Sequence, residues 1–156
     1  MSPGQDETQA SKSCLLLADR HQGLLEGIQG LLGSMFPAVV TVANETSLVE
    51  GVRLLRPTLA VLDLALSPDG LGALRRLRQL RPEQRVVLLS LHDARSAAEA
   101  AFRSGADGYV LKRAIAEDLL PAAEAVLGGG RYCSPGVAFD FAGTSPSPRQ
   151  SEGETP

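Results

Sequence analysis

Leu59-Ala60-Val61-Leu62-Asp63 decides how this chain is read: four apolar residues in a row, then a carboxylate. Three other short apolar runs also end on a polar group. Leu15-Leu16-Leu17-Ala18 leads into Asp19, Val86-Val87-Leu88-Leu89 into Ser90, and Tyr109-Val110-Leu111 into Lys112. Unbroken apolar runs, as opposed to alternating ones, suit strands of a parallel sheet covered on both faces. Strands are expected at 14–18, 39–43, 59–63, 86–90 and 108–111. The segments between them carry helical period. Leu24, Leu25, Ile28, Leu31 and Leu32 share one face, as do Leu71, Leu74, Leu77 and Leu80. Helices are expected near 23–35, 47–56, 71–81, 95–104 and 116–127. Right-handed crossovers then give an α/β fold, a doubly wound five-stranded parallel sheet in order 2-1-3-4-5 with helices on both faces. Ligands of such sheets bind beyond the strand carboxyl ends, where Asp19, Asp63, Ser90 and Lys112 all fall.

Lys112 is one of only two lysines among 15 basic residues, and the other, Lys12, lies in a polar leader. A chain that uses arginine almost everywhere keeps a compact, rotatable ammonium at this strand end. Two carboxylates, a hydroxyl and an ammonium at four strand ends predict a phosphoryl-accepting site.

The composition sets limits. Length (156 residues) and 44% apolar content fit one soluble domain with tails. No apolar stretch approaches the ~18 residues that a membrane span needs, so no membrane insertion is expected. Cys14 and Cys133 do not make a disulfide framework, and a cytoplasmic location is the simplest expectation. A net charge of −3 argues against a nucleic-acid-binding surface over the whole domain. The cluster Arg75, Arg76, Arg78, Arg81 and Arg85 reads as a solvated helix face. Residues 1–13 read as a disordered leader, 14–135 as the domain and 136–156 as a flexible tail, its end biased to Pro, Ser, Gly and Glu.

The motifs Leu-Leu-Leu-Ala-Asp19-Arg-His, Ala-Val-Leu-Asp63-Leu, Val-Val-Leu-Leu-Ser90 and Gly105-Ala-Asp-Gly-Tyr109-Val-Leu-Lys112 resemble the receiver domain of two-component response regulators, the CheY-like family. The resemblance covers roughly 14–135. Leu25-Glu26-Gly27-Ile28 and Gly129-Gly130-Arg131-Tyr132-Cys133-Ser134-Pro135 are similar to the subclass that precedes a LuxR-type DNA-binding domain. The resemblance implies that Asp63 is the phosphoacceptor, with Lys112 and Ser90 contacting phosphoryl oxygens. Tyr109 matches the family's aromatic switch position, coupled to Ser90. His92 is placed at the pocket mouth. Mg²⁺ would be held by Asp19, Asp63 and the Ala65 backbone carbonyl. The implied activity is signalling in a phosphorelay, with self-phosphorylation and autodephosphorylation as the only chemistry. Implied partners are a sensor histidine kinase or phosphotransfer protein, and a protein output partner. A homodimer through the fourth and fifth helices is the implied assembly.

Several residues depart from the family pattern. Where receivers carry two adjacent acids after the first strand, this chain has Asp19-Arg20. Two unit charges ~5 Å apart interact by roughly 3 kcal/mol at an effective dielectric of ~20. Exchanging a metal-binding acid for a cation therefore predicts weak or absent Mg²⁺ binding. Arg20 is expected either to point outward or to pair with Asp63 or Asp19 in the metal's stead. The connection Leu64-Ala65-Leu66-Ser67-Pro68-Asp69-Gly70 is one residue shorter than the common form, and Arg113 stands where many receivers have Pro or an acid. Pro121, lacking a backbone N–H, predicts a late start or a bend in the last helix. His21 and His92 read as solvated loop residues.

The competing reading is a pseudo-receiver, a phosphorylation-independent interaction module of the same fold. A haloacid-dehalogenase phosphohydrolase would need a second Asp at position 65, which is Ala. A P-loop fails because Gly128-Gly129-Gly130 lacks the following Lys and Ser/Thr, and reads as a helix cap and turn. A flavodoxin-like FMN binder shares the topology but would need a Ser/Thr/Gly-rich phosphate loop after the first strand, which is lacking. No direct specific DNA binding is expected, because Val137-Ala138-Phe139-Asp140-Phe141 is too short to build a helical reader.

Overall fold

A computed structural model describes residues 13–141. The chain runs β1 (Cys14–Ala18), α1 (Gln22–Leu32), β2 (Ala38–Val42), α2 (Glu45–Leu55), β3 (Leu59–Asp63), α3 (Gly72–Leu80), β4 (Val86–Ser90), α4 (Arg95–Arg103), β5 (Gly108–Leu111), α5 (Ile115–Leu127) and β6 (Tyr132–Cys133). The strands form one parallel sheet in order β2-β1-β3-β4-β5-β6, so the expected five-strand core carries one more strand at its edge.

Alternate residues of each strand feed opposite faces, as the pleat requires. Leu15, Leu17, Val61, Val87 and Val110 pack against α1 and α5. Leu16, Leu62, Leu88 and Tyr109 pack against α2, α3 and α4. β1, β3, β4 and β5 are buried along their whole length. Strand β2, at the other edge, is half exposed.

The boundaries move where local chemistry outweighs apolar pattern. Strand β2 starts one residue early, at Ala38, because it pairs in register with Cys14 immediately after Pro37. Helix α2 begins at Glu45 instead of 47, because the Asn44 side chain accepts the Ser47 N–H at 2.8 Å and caps the first turn. Helix α1 ends at Leu32 instead of 35, where the Met35 N–H turns back to the Leu32 carbonyl at 2.9 Å. Helix α5 does not start late. It follows a 3₁₀ turn at Lys112–Ala114 and runs through Pro121 to Leu127. Gly128 caps it, and the left-handed residue of the glycine run is Gly129, at φ 93°.

The packed chain also continues past residue 135. The Ser134 N–H donates to the Tyr109 carbonyl at 2.9 Å, and its hydroxyl accepts the Leu111 N–H at 3.0 Å. Val137 is 3% exposed. Phe139 and Phe141 lie 5.0 and 4.9 Å from the Phe102 ring of α4, centroid to centroid. Residues 136–141, expected in the tail, thus extend the α4 side of the core. The rest of the expected tail, 142–156, and residues 1–12 of the expected leader lie outside the described residues.

A buried ion pair ties α3 to the turn before β5. The Arg78 guanidinium reaches Asp107 Oδ2 at 3.1 Å and donates to the Gly105 carbonyl from Nε at 2.9 Å. Gly105 has φ 104°, and a Cβ there would meet Arg78 Nε at 2.7 Å, so the position requires glycine on both counts. Arg78 therefore acts within the fold, not on the solvated face expected for the arginine cluster. No helix among the described residues is long and apolar enough to cross a membrane.

Candidate functional site

β1, β3 and β5 end at one edge of the sheet, and their terminal charges meet there. Lys112 Nζ lies 3.0 Å from Asp63 Oδ2 and 3.2 Å from Asp19 Oδ2. Both carboxylates are nearly fully buried, at 1% for Asp19 and 3% for Asp63. Burial strengthens their attraction to the ammonium and makes an unpaired charge costly. Asp63 Oδ1 accepts the Ala65 N–H at 3.1 Å, which starts a 3₁₀ turn at Leu64–Leu66 and fixes the carboxylate plane.

Asp19 is held from its other side by His21. The His21 backbone N–H donates to Asp19 Oδ1 at 2.9 Å, and ring Nδ1 lies 2.8 Å from the same oxygen. The sequence reading set His21 aside as a solvated loop residue. Its ring is exposed, yet it is bound to the site through Asp19. The available signal was the spacing: an Asp two residues before a backbone N–H forms a local turn with it.

An open pocket of about 460 Å³ lies over Asp63, lined by Arg20, Ala65, Ser67, Ser90, Leu91 and His92 among others. Ser90 Oγ accepts the His92 N–H at 3.0 Å. Behind it, the Tyr109 hydroxyl lies 2.9 Å from Ser90 Oγ and 2.7 Å from the His92 carbonyl oxygen. Tyr109 is completely buried, and burial raises its phenol pKa. Lys112 thus bridges Asp19 and Asp63, Ser90 and His92 share the pocket with Asp63, and Tyr109 is linked to both from the core.

Arg20 pairs with neither acid. Among the described residues its guanidinium donates only to the Leu66 carbonyl, at 3.4 Å. It is exposed, and no carboxylate among the described residues lies within ion-pair distance of it. Leu66 belongs to the connection that follows Asp63, so Arg20 spans from the end of β1 to the end of β3.

The residues present fit a hard divalent cation. Asp19 Oδ2 is buried and receives no hydrogen bond beyond its ion contact with Lys112. Single ligand atoms of Asp19, His21 and Asp63 lie within 4.8 Å of one another. Carboxylate oxygens suit Mg²⁺, which takes oxygen ligands in near-octahedral order. Arg20 stands where a further acid would complete the set, so the site offers such an ion one carboxylate fewer.

The chain matches the family model of the response regulator receiver domain over residues 15–124. It is 33% identical over 138 residues to the transcriptional regulatory protein MctR of Rhizobium johnstonii, covering 85% of this chain and 63% of that protein. It is 36% identical over 112 residues to the nitrate/nitrite response regulator protein NarL of Escherichia coli, covering 69% of this chain and 51% of that protein. The chain therefore spans between about half and two thirds of the length of these curated relatives. Among solved structures, a LuxR-family two-component response regulator from Aurantimonas sp. SI85-9A1 superposes with a TM-score of 0.74 at 31% identity, over 80% of this chain and 91% of that one. The isolated receiver domain of RcsB from Salmonella enterica serovar Typhimurium, at 22% identity and a TM-score of 0.71, covers 81% of this chain and 96% of that chain and bears on the fold. Sheet order, strand-end chemistry and the family match agree, and this chain belongs to the response regulator receiver domain family.

Proposed function

We propose that this chain accepts a phosphoryl group on Asp63 from a histidine kinase or phosphotransfer protein and passes the signal to a protein partner. The observation that carries the reading is the Lys112 ammonium, 3.0 Å from Oδ2 of Asp63, a carboxylate that lines an open pocket. An Asp63 oxygen attacks phosphorus, a new P–O bond forms, and the bond to the donor's leaving group breaks with the electron pair going to that group. Lys112 stabilises the charge that accumulates on the phosphoryl oxygens, and Ser90 Oγ, oriented by the His92 N–H, can turn its proton from the Tyr109 oxygen to one of them. A divalent ion held by Asp19, Asp63 and the Ala65 carbonyl would neutralise further phosphoryl charge. Tyr109 is the element that reports the change, because its hydroxyl is bonded to Ser90 and its ring packs in the α2–α4 core.

The test is incubation with acetyl phosphate and Mg²⁺ followed by intact-mass measurement. One phosphoryl mass is expected on the wild type and none on Asp63→Asn. Equal modification of both proteins would sink the assignment of Asp63.

A second reading has its own observation. Arg20 occupies the place of an acid, and a site short of a metal ligand fits a pseudo-receiver that binds partners without a phosphorylation cycle. A wild type that stays unmodified by acetyl phosphate with or without Mg²⁺ would favour it.

A further inference from the structure

We propose that Arg20 binds the phosphoryl group itself, so that phosphorylation of Asp63 does not depend on a divalent metal. This rests on the reading of Asp63 as the acceptor and concerns how its product is stabilised.

The argument is one of charge. Before modification Asp19, Asp63 and Lys112 are in contact and sum to a single negative charge. Modification converts the Asp63 carboxylate into a neutral acyl linkage and adds a phosphoryl group of nearly two negative charges. The cluster then holds one negative charge more, in a place where both carboxylates were already nearly excluded from water. Such a state needs another cation.

The fold supplies one at the pocket rim. Arg20 lines the same pocket as Asp63 and Ser90. Its guanidinium offers five donors, of which one is engaged among the described residues, at 3.4 Å to the Leu66 carbonyl. That length is beyond the usual range for N–H···O, so the tether is weak and readily released. Two arginines of the neighbouring helix α3 are committed, Arg76 to Glu45 at 2.5 Å and Arg78 to Asp107 at 3.1 Å. An arginine beside two buried acids, paired with neither, is held available for an anion not yet present. Guanidinium matches phosphoryl oxygens with two parallel donors, which an ammonium cannot do.

Three contacts follow for the phosphoryl oxygens: Lys112 from the β5 side, Ser90 from the β4 side and Arg20 from the β1 side. Transfer from acetyl phosphate is balanced without a metal. The Asp63 oxygen bonds to phosphorus as acetate departs with its electron pair, and Arg20 pairs with a non-bridging oxygen.

The experiment compares wild type, Arg20→Ala, Arg20→Lys and Arg20→Asp, each with acetyl phosphate in excess EDTA or in Mg²⁺. Initial rates come from intact mass, and Mg²⁺ affinity from calorimetry. Arg20 is exposed, so the variants are expected to melt with the wild type. In EDTA the wild type should keep its rate within about threefold of that in Mg²⁺. Arg20→Ala should lose at least tenfold in EDTA and recover with Mg²⁺. Arg20→Lys should fall between them, and Arg20→Asp should bind Mg²⁺ more tightly and require it fully. A wild type modified only with metal, or an Arg20→Ala protein as fast as wild type in EDTA, overturns the inference and leaves Asp63 standing. No modification of the wild type under either condition, or modification of an Asp63→Asn control, overturns the reading beneath it and the inference with it.

Discussion

The hydroxyl of Tyr109 lies 2.9 Å from Ser90 Oγ and 2.7 Å from the carbonyl oxygen of His92, so one buried phenol touches both the pocket wall and the backbone that shapes it. Burial raises the phenol pKa, which keeps it a proton donor through the neutral range. Any displacement of Ser90 toward a phosphoryl oxygen therefore disturbs this hydrogen bond. The Tyr109 ring in turn packs 6.4 Å from Phe102 of α4, which carries Phe139 and Phe141 on its other side. A chain of ring contacts thus runs from the pocket wall to Phe139 and Phe141.

Tyr109→Phe keeps the ring and removes the hydroxyl. It leaves the His92 carbonyl without that partner, so a stability loss of about 1–2 kcal/mol is expected in urea unfolding. Binding of beryllofluoride, a phosphoryl mimic, should still occur, but the change it causes in amide exchange across residues 92–103 should shrink. Wild-type exchange changes in this variant would show that Tyr109 does not transmit the signal.

Arg78→Ala removes the partner of Asp107, which is completely buried and also accepts the Val86 N–H at 2.9 Å. Taking one partner from a buried carboxylate costs up to about 3–5 kcal/mol. Denaturant titration measures it directly. A loss below about 1 kcal/mol would place Arg78 among ordinary surface arginines, as the sequence suggested.

Residues 132–141 cover the β5 edge and the adjoining face of α4, where the sequence placed part of a dimer surface. A dimer through α4 and β5 would meet this segment at the β5 edge, where β6 already pairs. Replacing Phe139 and Phe141 with Ala should cost about 1–2 kcal/mol, less than full burial would because both rings are partly exposed. It should also speed amide exchange at Leu111, whose N–H is bonded to Ser134. Sedimentation with beryllofluoride should show more self-association for the double variant than for the wild type. Equal association would mean that this segment guards no interface.

The sequence made the middle of the sheet legible for a physical reason. Strands β1, β3, β4 and β5 are covered on both faces, so their apolar runs are unbroken, and each ends on or runs into a polar residue of the site: Asp19, Asp63, Ser90 or Lys112. The edges were harder to read. Strand β2 is half exposed and its register is set by pairing with β1, while β6 has two residues and no run to detect. The segment Val137-Ala138-Phe139-Asp140-Phe141 did carry a signal, a large apolar residue at every second position, which marks a half-buried extended chain. Its brevity and the polar tail beyond it outweighed that signal. In the site, residue types at strand ends were readable from the sequence. The placement of Arg20 was not, because it depends on a carbonyl at Leu66 that no pattern reveals.

The last prediction concerns pH. Burial, with a smaller contribution from the Asp118 carboxylate, pushes the Cys133 thiol up to about 11. A thiol reacts as its thiolate, so alkylation of Cys133 in the native protein at pH 8 should run roughly a hundredfold slower than in the urea-unfolded chain. The same shift has a sign for stability. Above about pH 9 the unfolded chain releases the thiol proton while the native protein keeps it, so the native state binds more protons and its stability falls as pH rises toward 11. Cys133→Ser should flatten this decline. Peptide-resolved alkylation separates Cys133 from Cys14, which is also buried and also raised. Rapid labelling of Cys133 at pH 8 in the folded protein would show that β6 opens readily from the β5 edge. The cover over the α4–β5 face would then be a transient one.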